Sequence, residues 1–146
     1  MDLGFGGDPI LATSVRIDMP AQYGATGLHS AQLRGSADNL IWFRDGVLDY
    51  VYSSHLLEDF QDTESVLREW WRVIKPGGRL IIFCPDEKIY RGHCDQTGQY
   101  YNEHHIHADF SLAKVREIIA RIGPHRVLHE LSPVNIYSWD LVVEKI

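Results

Sequence analysis

Gly4 and Gly6 are spaced so that backbone can approach a ligand closely where a strand turns out of a sheet. Asp18 closes the strand-like stretch VRID, and a carboxylate at a strand end can accept both hydroxyls of a ribose. Each feature also has a plainer reading. Two glycines one residue apart form an ordinary turn, and an acidic residue at a strand end caps one. Together they favour a nucleoside ligand. A dinucleotide fingerprint would want a further glycine at position 9, where Pro9 stands, and this counts against a nicotinamide dehydrogenase.

A second group of chemically able residues lies in RGHCDQTGQYYNEHHIHADFS, which holds His93, Cys94, His104, His105 and His107. Two histidines two positions apart can chelate zinc, and Cys94 would add a soft ligand. The spacing fits no finger or protease pattern, so the expectation is no metal site, and a zinc-dependent hydrolase is the remotest reading. The plain alternative is a loop between a strand and a helix with its histidines exposed or hydrogen-bonded. His105 or His107 could take a proton from an acceptor hydroxyl, since neutral imidazole is available near pH 7. His55, just after a strand, is the third candidate base; its plain reading is a polar residue at a helix start.

Elements of regular structure must hold these residues. SVRIDMP reads as a strand ending at Asp18 and stopped by Pro20, with a loop over Ala21–Ser30 and a short strand in AQLRGSA. GVLDYVYSS is a compact β-type run. Val66, Leu67, Trp70, Trp71, Val73 and Ile74 then recur at helical spacing, capped by Asp62 or Thr63 and stopped by Lys75-Pro76-Gly77-Gly78. That spacing puts both tryptophans in the core. RLIIFC is apolar enough for a strand covered on both faces, with Cys84 a buried structural thiol. Leu112, Val115, Ile118, Ile119 and Ile122 form a second helical stripe, capped by Ser111 and ended by Gly123-Pro124. RVLHELSPV and YSWDLVVEKI are too close for a crossover helix and should pair antiparallel. The pattern β-β-β-β-α-β-α-β-β is that of an α/β domain with a terminal hairpin.

With 146 residues the chain fits one domain and can bury a real core. Its 14 basic and 20 acidic residues give a net charge of -6, which draws in neither nucleic acid nor anionic membrane over long range. Two cysteines make no disulfide framework, and no apolar run or signal peptide is evident. The expectation is a soluble, cytoplasmic protein.

DLGFG, VRID, GSADNL, LDYVYSSHLLEDF and LREWWRVIKPGGRLII occur in that order at matching spacings. The chain thereby resembles class I S-adenosylmethionine-dependent methyltransferases of the small-molecule type, from Asp2 to about Ile122. GGDPI shortly before VRID resembles a bacterial subgroup with abbreviated early helices, often found among cell-surface polysaccharide genes, which loosely suggests a sugar or glycolipid acceptor. The resemblance implies a Rossmann-like, mostly parallel seven-stranded sheet with helices on both faces and a C-terminal antiparallel β-hairpin. It implies S-adenosylmethionine as cofactor and a small-molecule acceptor. Asp2, Gly4 and Gly6 would border the methionine and ribose parts, Asp18 would hold the ribose hydroxyls, and Met19 would lie beside the adenine. Ser36, Ala37 and Asp38 would sit at the adenine edge, with Ser53 and Ser54 flanking the sulfonium and its methyl group.

Three departures from the family pattern stand out. Asp8-Pro9 replaces the usual third glycine, and Ser36 holds a position that is often acidic. Family members also carry a helix and a full first strand before the glycine loop, whereas only Met1, Asp2 and Leu3 precede it here. Residues 1–146 are thus expected to form one methyltransferase-like domain lacking that helix and most of that strand. A missing N-terminal segment or a second copy would complete the sheet. The alternative is a truncated, non-catalytic binding or interaction module.

Overall fold

The computed structural model describes residues 1–6, 9–19 and 31–146. The expectations placed on Asp8, Pro20 and the loop 21–30 lie outside the described residues. Seven strands form one sheet in the order β3-β2-β1-β4-β5-β7-β6. They are β1 Asp2–Leu3, β2 Arg16–Asp18, β3 Leu33–Arg34, β4 Leu48–Ser54, β5 Ile74–Pro85, β6 His125–Val134 and β7 Ser138–Lys145. β1 through β5 pair in parallel. β7 runs antiparallel to both β5 and β6, so the mostly parallel Rossmann-like sheet ends in the expected hairpin.

Helices α1 Thr63–Val73 and α3 Leu112–Ile122 pack against each other and against the sheet. Asp62 caps α1 by accepting from the Ser65 amide at 3.0 Å, and Ser111 caps α3. Val66, Leu67, Trp70 and Trp71 of α1 meet Val115, Ile118 and Ile119 of α3 over Val51, Leu80, Ile82, Leu141 and Val143 of the strands. The alternation of side chains along each strand sends these strand residues to one face. Tyr50, Tyr52, Ile81, Phe83 and Val142 point to the other and stay half-buried. Cys84 is fully buried, and burial together with the charge of Glu58 pushes its thiol well up, so it stays protonated.

Lys75-Pro76-Gly77-Gly78 does end α1, but these residues already belong to β5. Gly77 takes φ 76°, and the register against β4 shifts between Leu48 and Tyr50. The larger correction is a third helix, α2 Glu87–Thr97, in the stretch read as loop. Asp86 caps it by accepting from the Ile89 amide, and Gly98, at φ 73°, closes it with a bond to the Cys94 carbonyl. Its buried residues are only Glu87, Tyr90 and Cys94, too sparse a stripe to stand out against the polar residues between them.

Candidate cofactor and acceptor site

The parallel strands leave their carboxyl ends on one side, where open α/β sheets form a ligand crevice. A cavity of about 700 Å³ opens there, lined by Asp2, Gly4, Gly6, Asp18, Met19, Tyr52, Ser54 and His55 among others. A smaller cavity of about 180 Å³ adjoins it, with Ser36 and Ala37 in its lining. Gly4, Asp18, Met19, Leu56 and Asp59 line both.

The glycine loop is built for close approach. Gly4 and Gly6 both have positive φ, 61° and 58°. A Cβ on Gly4 would stand 2.7 Å from the Leu56 side chain, whereas one on Gly6 would meet nothing within 4 Å. Asp18 orders this loop from β2: its Oδ2 accepts from the Gly6 amide at 3.1 Å and its Oδ1 from the Met19 amide at 2.8 Å. Among the described residues each carboxylate oxygen has one such backbone donor, and an oxygen can accept a second bond from a ligand hydroxyl. Asp2 is 1% exposed. Its Oδ2 accepts from the Ile10 amide at 2.8 Å, while its Oδ1 is buried without a partner. Burial, partly offset by the Ile10 bond, raises its pKa above the ordinary carboxylate value. A buried acceptor with no donor costs stability in the free protein and marks a place where a ligand donor fits.

Not every anticipated residue reaches this crevice. Ser53 points to the helix-covered face, fully buried and with its hydroxyl unpartnered, whereas its neighbour Ser54 lines the larger cavity. Asp38 lies away from both cavities, in a surface depression beside Glu69 and Arg72. That loop is fixed from α1: Arg72 donates to the carbonyls of Leu40 and Phe43, and Glu69 accepts from the Leu40 amide. Trp70 Nε1 donates to the Ala37 carbonyl at 2.8 Å, which sets Ala37 at the rim of the smaller cavity.

The histidines diverge. His55 lines the larger cavity, with φ 48°, a left-handed conformation uncommon for a residue with a Cβ. His107 Nε2 lies 2.7 Å from the Phe60 carbonyl. His105 is buried between two carboxylates that the sequence did not single out. Its Nδ1 is 2.6 Å from Glu87 Oε1, a close ion-pair contact rather than a well-aligned hydrogen bond, and its Nε2 is 3.7 Å from Glu58 Oε1. Burial opposes the imidazolium, but Glu87, with Glu58 and Asp59 behind it, outweighs burial and raises the His105 pKa. Arg91 Nε holds the other oxygen of Glu87 at 3.1 Å. His93 and Cys94 sit on α2, and among the described residues no three His, Cys, Asp or Glu side chains gather as a metal site.

Asp59 and Glu58, like Glu87, carry no mark in the sequence that sets them apart. The first two lie in the 3-10 turn Leu57–Asp59 after β4. The HLLEDF segment puts two acidic residues in an otherwise apolar stretch, but alternation alone does not tell a buried acid from an exposed one.

The family described as "Methyltransferase domain" matches residues 12–82, a stretch that takes in Asp18 and the run RVIKPGGRLII but not the glycine loop. Over 138 residues, 88% of this chain and 50% of the relative, the chain is 28% identical to "Ubiquinone/menaquinone biosynthesis C-methyltransferase UbiE" of Pectobacterium carotovorum. Over 40 residues, 27% of this chain and 17% of the relative, it is 52% identical to "Demethylmenaquinone methyltransferase" of Streptomyces griseus. The chain thus spans half or less of the length of these curated relatives. Among solved structures, the YcgJ protein of Bacillus subtilis superposes with TM-score 0.70 at 14% identity, covering 99% of this chain and 90% of that one, a likeness of fold. The matched stretch, the sheet order and the terminal hairpin thus make the chain similar to the class I S-adenosylmethionine-dependent methyltransferases of the small-molecule type.

Proposed function

We propose that this chain binds S-adenosylmethionine in the paired cavities and transfers its methyl group to a small-molecule acceptor. The observation that carries the reading is that Asp2, with its buried and partnerless Oδ1, lines one cavity together with the two positive-φ glycines and Asp18. When bound, the cofactor supplies a sulfonium-activated methyl group, so the protein's task is chiefly placement. Asp2 would receive the donor groups of the methionine end, and Gly4 and Gly6 would let backbone lie against it. Asp18 would take the ribose hydroxyls, Met19 would flank the adenine, and Ser36 and Ala37 would line its edge. Ser54 and His55 would stand on the acceptor side. Of the three histidines raised as bases, only His55 lines the cavity, since the ion pair of His105 with Glu87 and the bond of His107 to the Phe60 carbonyl hold their rings elsewhere.

The relatives' names point to quinone-type rings as the first acceptors to screen, beside the sugars suggested by the abbreviated early helices. No helix among the described residues is long and apolar enough to cross a membrane.

Calorimetric titration with S-adenosylmethionine and S-adenosylhomocysteine tests the reading, with Asp18→Ala as control. Saturable binding that weakens at least about 100-fold in Asp18→Ala is expected, from loss of two charge-assisted hydrogen bonds and loop order. A folded chain that binds neither compound would overturn the reading.

A further inference from the structure

Resting on that reading of the cavities, we propose that Asp59 is the carboxylate that faces the reacting centre, acting as counter-charge to the sulfonium and as acceptor of the proton that the methylated atom sheds.

The placement follows from how the two cavities meet. The smaller one, with Ser36 and Ala37, takes the adenine side, and the larger one, with Asp2 and Gly6, takes the methionine side. The sulfur atom joins those two halves of the cofactor, so it belongs at the seam. Five described residues line both cavities: Gly4, Asp18, Met19, Leu56 and Asp59. Only two of them carry a charge. Asp18 is already engaged with the Gly6 and Met19 amides. Asp59 is not: its Oδ1 is buried and accepts no hydrogen bond. A carboxylate that lines the seam with one oxygen buried and undonated lacks a hydrogen-bonding partner there until a cation arrives.

The surroundings hold Asp59 ready for proton transfer. Burial raises its pKa to about 6, and the charge of Glu58 in the same turn adds to the rise. His105 and His104, from the segment ahead of α3, pull the other way, and Glu87 of α2 pushes up again. Asp2 of β1, Asp18 of β2 and His55 face the same cavity, and Cys84 of β5 lies behind Glu58. A base with a pKa near the working pH is ionised often enough to accept a proton and basic enough to hold it. The fully buried Glu58 and the Glu87–His105 pair are therefore positioning residues, which set the charge state of Asp59 from behind.

The step balances. The acceptor atom bonds the methyl carbon, the carbon–sulfur bond breaks with its electron pair staying on sulfur, and the acceptor's proton passes to Asp59. Positive charge leaves the seam as the carboxylate is neutralised. This selects an acceptor that carries a dissociable proton, such as a hydroxyl, a protonated amine or an acidic ring carbon, over a thioether or a tertiary amine.

S-adenosylmethionine and S-adenosylhomocysteine share every titrating group and differ in the sulfonium charge, so the ratio of their dissociation constants isolates what faces the sulfur. Calorimetry between about pH 5 and 8 should show that ratio moving about tenfold in favour of S-adenosylmethionine as Asp59 ionises, one pKa unit of linkage. In Asp59→Asn the ratio should stay flat, and in Glu58→Gln the change should come at lower pH. A flat ratio in the wild-type chain, or the same rise in Asp59→Asn, would overturn the assignment while leaving the cofactor site intact. Failure of a folded chain to bind either compound would instead remove the cofactor reading itself.

Discussion

Asp2 and Glu87 are both buried carboxylates at the carboxyl end of the sheet, and the fold treats them oppositely. Glu87 is compensated from within: Arg91 lies 3.1 Å from one oxygen and the His105 imidazole 2.6 Å from the other. Asp2 has one backbone amide on Oδ2 and nothing on Oδ1. A buried charge that the protein satisfies itself holds neighbouring elements together. One left half-satisfied is a cost in the free protein that a ligand can relieve. Burial alone therefore does not mark a functional acid; a missing partner on a residue that lines the cavity does.

If that distinction is right, removing Glu87 should hurt folding most. Its loss leaves the Arg91 guanidinium without its buried carboxylate and unties α2 from the loop carrying His105, to whose carbonyl Arg91 also donates. Glu87→Ala should cost about 3 kcal/mol, the low end for breaking a buried pair because the imidazole can shed its proton. Urea unfolding measures it. A loss below about 1 kcal/mol, the range of exposed pairs, would place Glu87 with the weak surface bridges.

The pH dependence of stability tests the same wall. His105 has its pKa raised on folding, so its pairing contributes fully below about pH 6.5 and is lost as pH climbs through the folded value. Asp59, raised to about 6 from an ordinary 3.8, binds a proton in the folded chain where the unfolded chain has released it, so it too favours folding at mildly acid pH. Against these, Asp62, Glu64 and Glu69 are lowered by hydrogen bonds to Ser65, Arg68, Arg121 and Arg72, and stability falls as they are protonated in acid. Calorimetric melting temperatures should therefore fall as pH rises from about 4.5 to 6. Above about pH 6 the Met1 amine, lowered from 8.0 to about 6 by burial, works the other way, because the unfolded chain still holds a proton that the folded chain has released. The decline should be shallower in Asp59→Asn. A melting temperature rising steadily from about pH 4.5 to 6 would contradict this wall's charge assignment.

The two walls of the site were unequally legible. Gly4, Gly6 and Asp18 could be found from sequence because their roles are local: a turn, a close approach and a strand end within one stretch of chain. The hairpin was legible for a similar reason, since two apolar runs with few residues between them can only return antiparallel. Glu58, Asp59 and Glu87 act through distance in space, not along the chain. His105 is 47 residues from Glu58 in sequence but 3.7 Å from it in the fold. Helix α2 was missed because its buried face carries Glu87, a charged residue that hydrophobic patterning counts as exposed. Asp38 and Ser53 show the converse: both stood at positions the family resemblance favoured, and the loop path and strand alternation turn them away from the cavities.

Asp2→Asn should reverse the sign seen at Glu87. The amide removes a charge that burial disfavours and keeps an oxygen for the Ile10 amide, so folding stability should hold or rise by about 1 kcal/mol. Affinity for S-adenosylmethionine should fall at least about tenfold, as a charge-assisted contact becomes a neutral one. Parallel urea unfolding and calorimetric titration check the pair of effects. A variant as destabilised as Glu87→Ala would show that Asp2 is compensated in the folded chain after all.

His55 carries the smallest expected effect and the finest test, because it faces Glu58, the third buried carboxylate, from the cavity side at 3.5 Å. Its backbone sits at φ 48° although it bears a Cβ, and its ring stands edge-on to Phe83 with centroids 5.0 Å apart. A left-handed non-glycine residue costs about 1 kcal/mol or more, strain that persists where the surrounding structure fixes the side chain for use. Comparing His55→Gly with His55→Ala separates strain from packing, since both remove the ring and only glycine relaxes the backbone. The glycine variant should be the more stable of the two by about 0.5–1 kcal/mol in urea unfolding. Equal stabilities would mean that the backbone there is unstrained, and His55 would then lose its mark as a residue held in place for the acceptor.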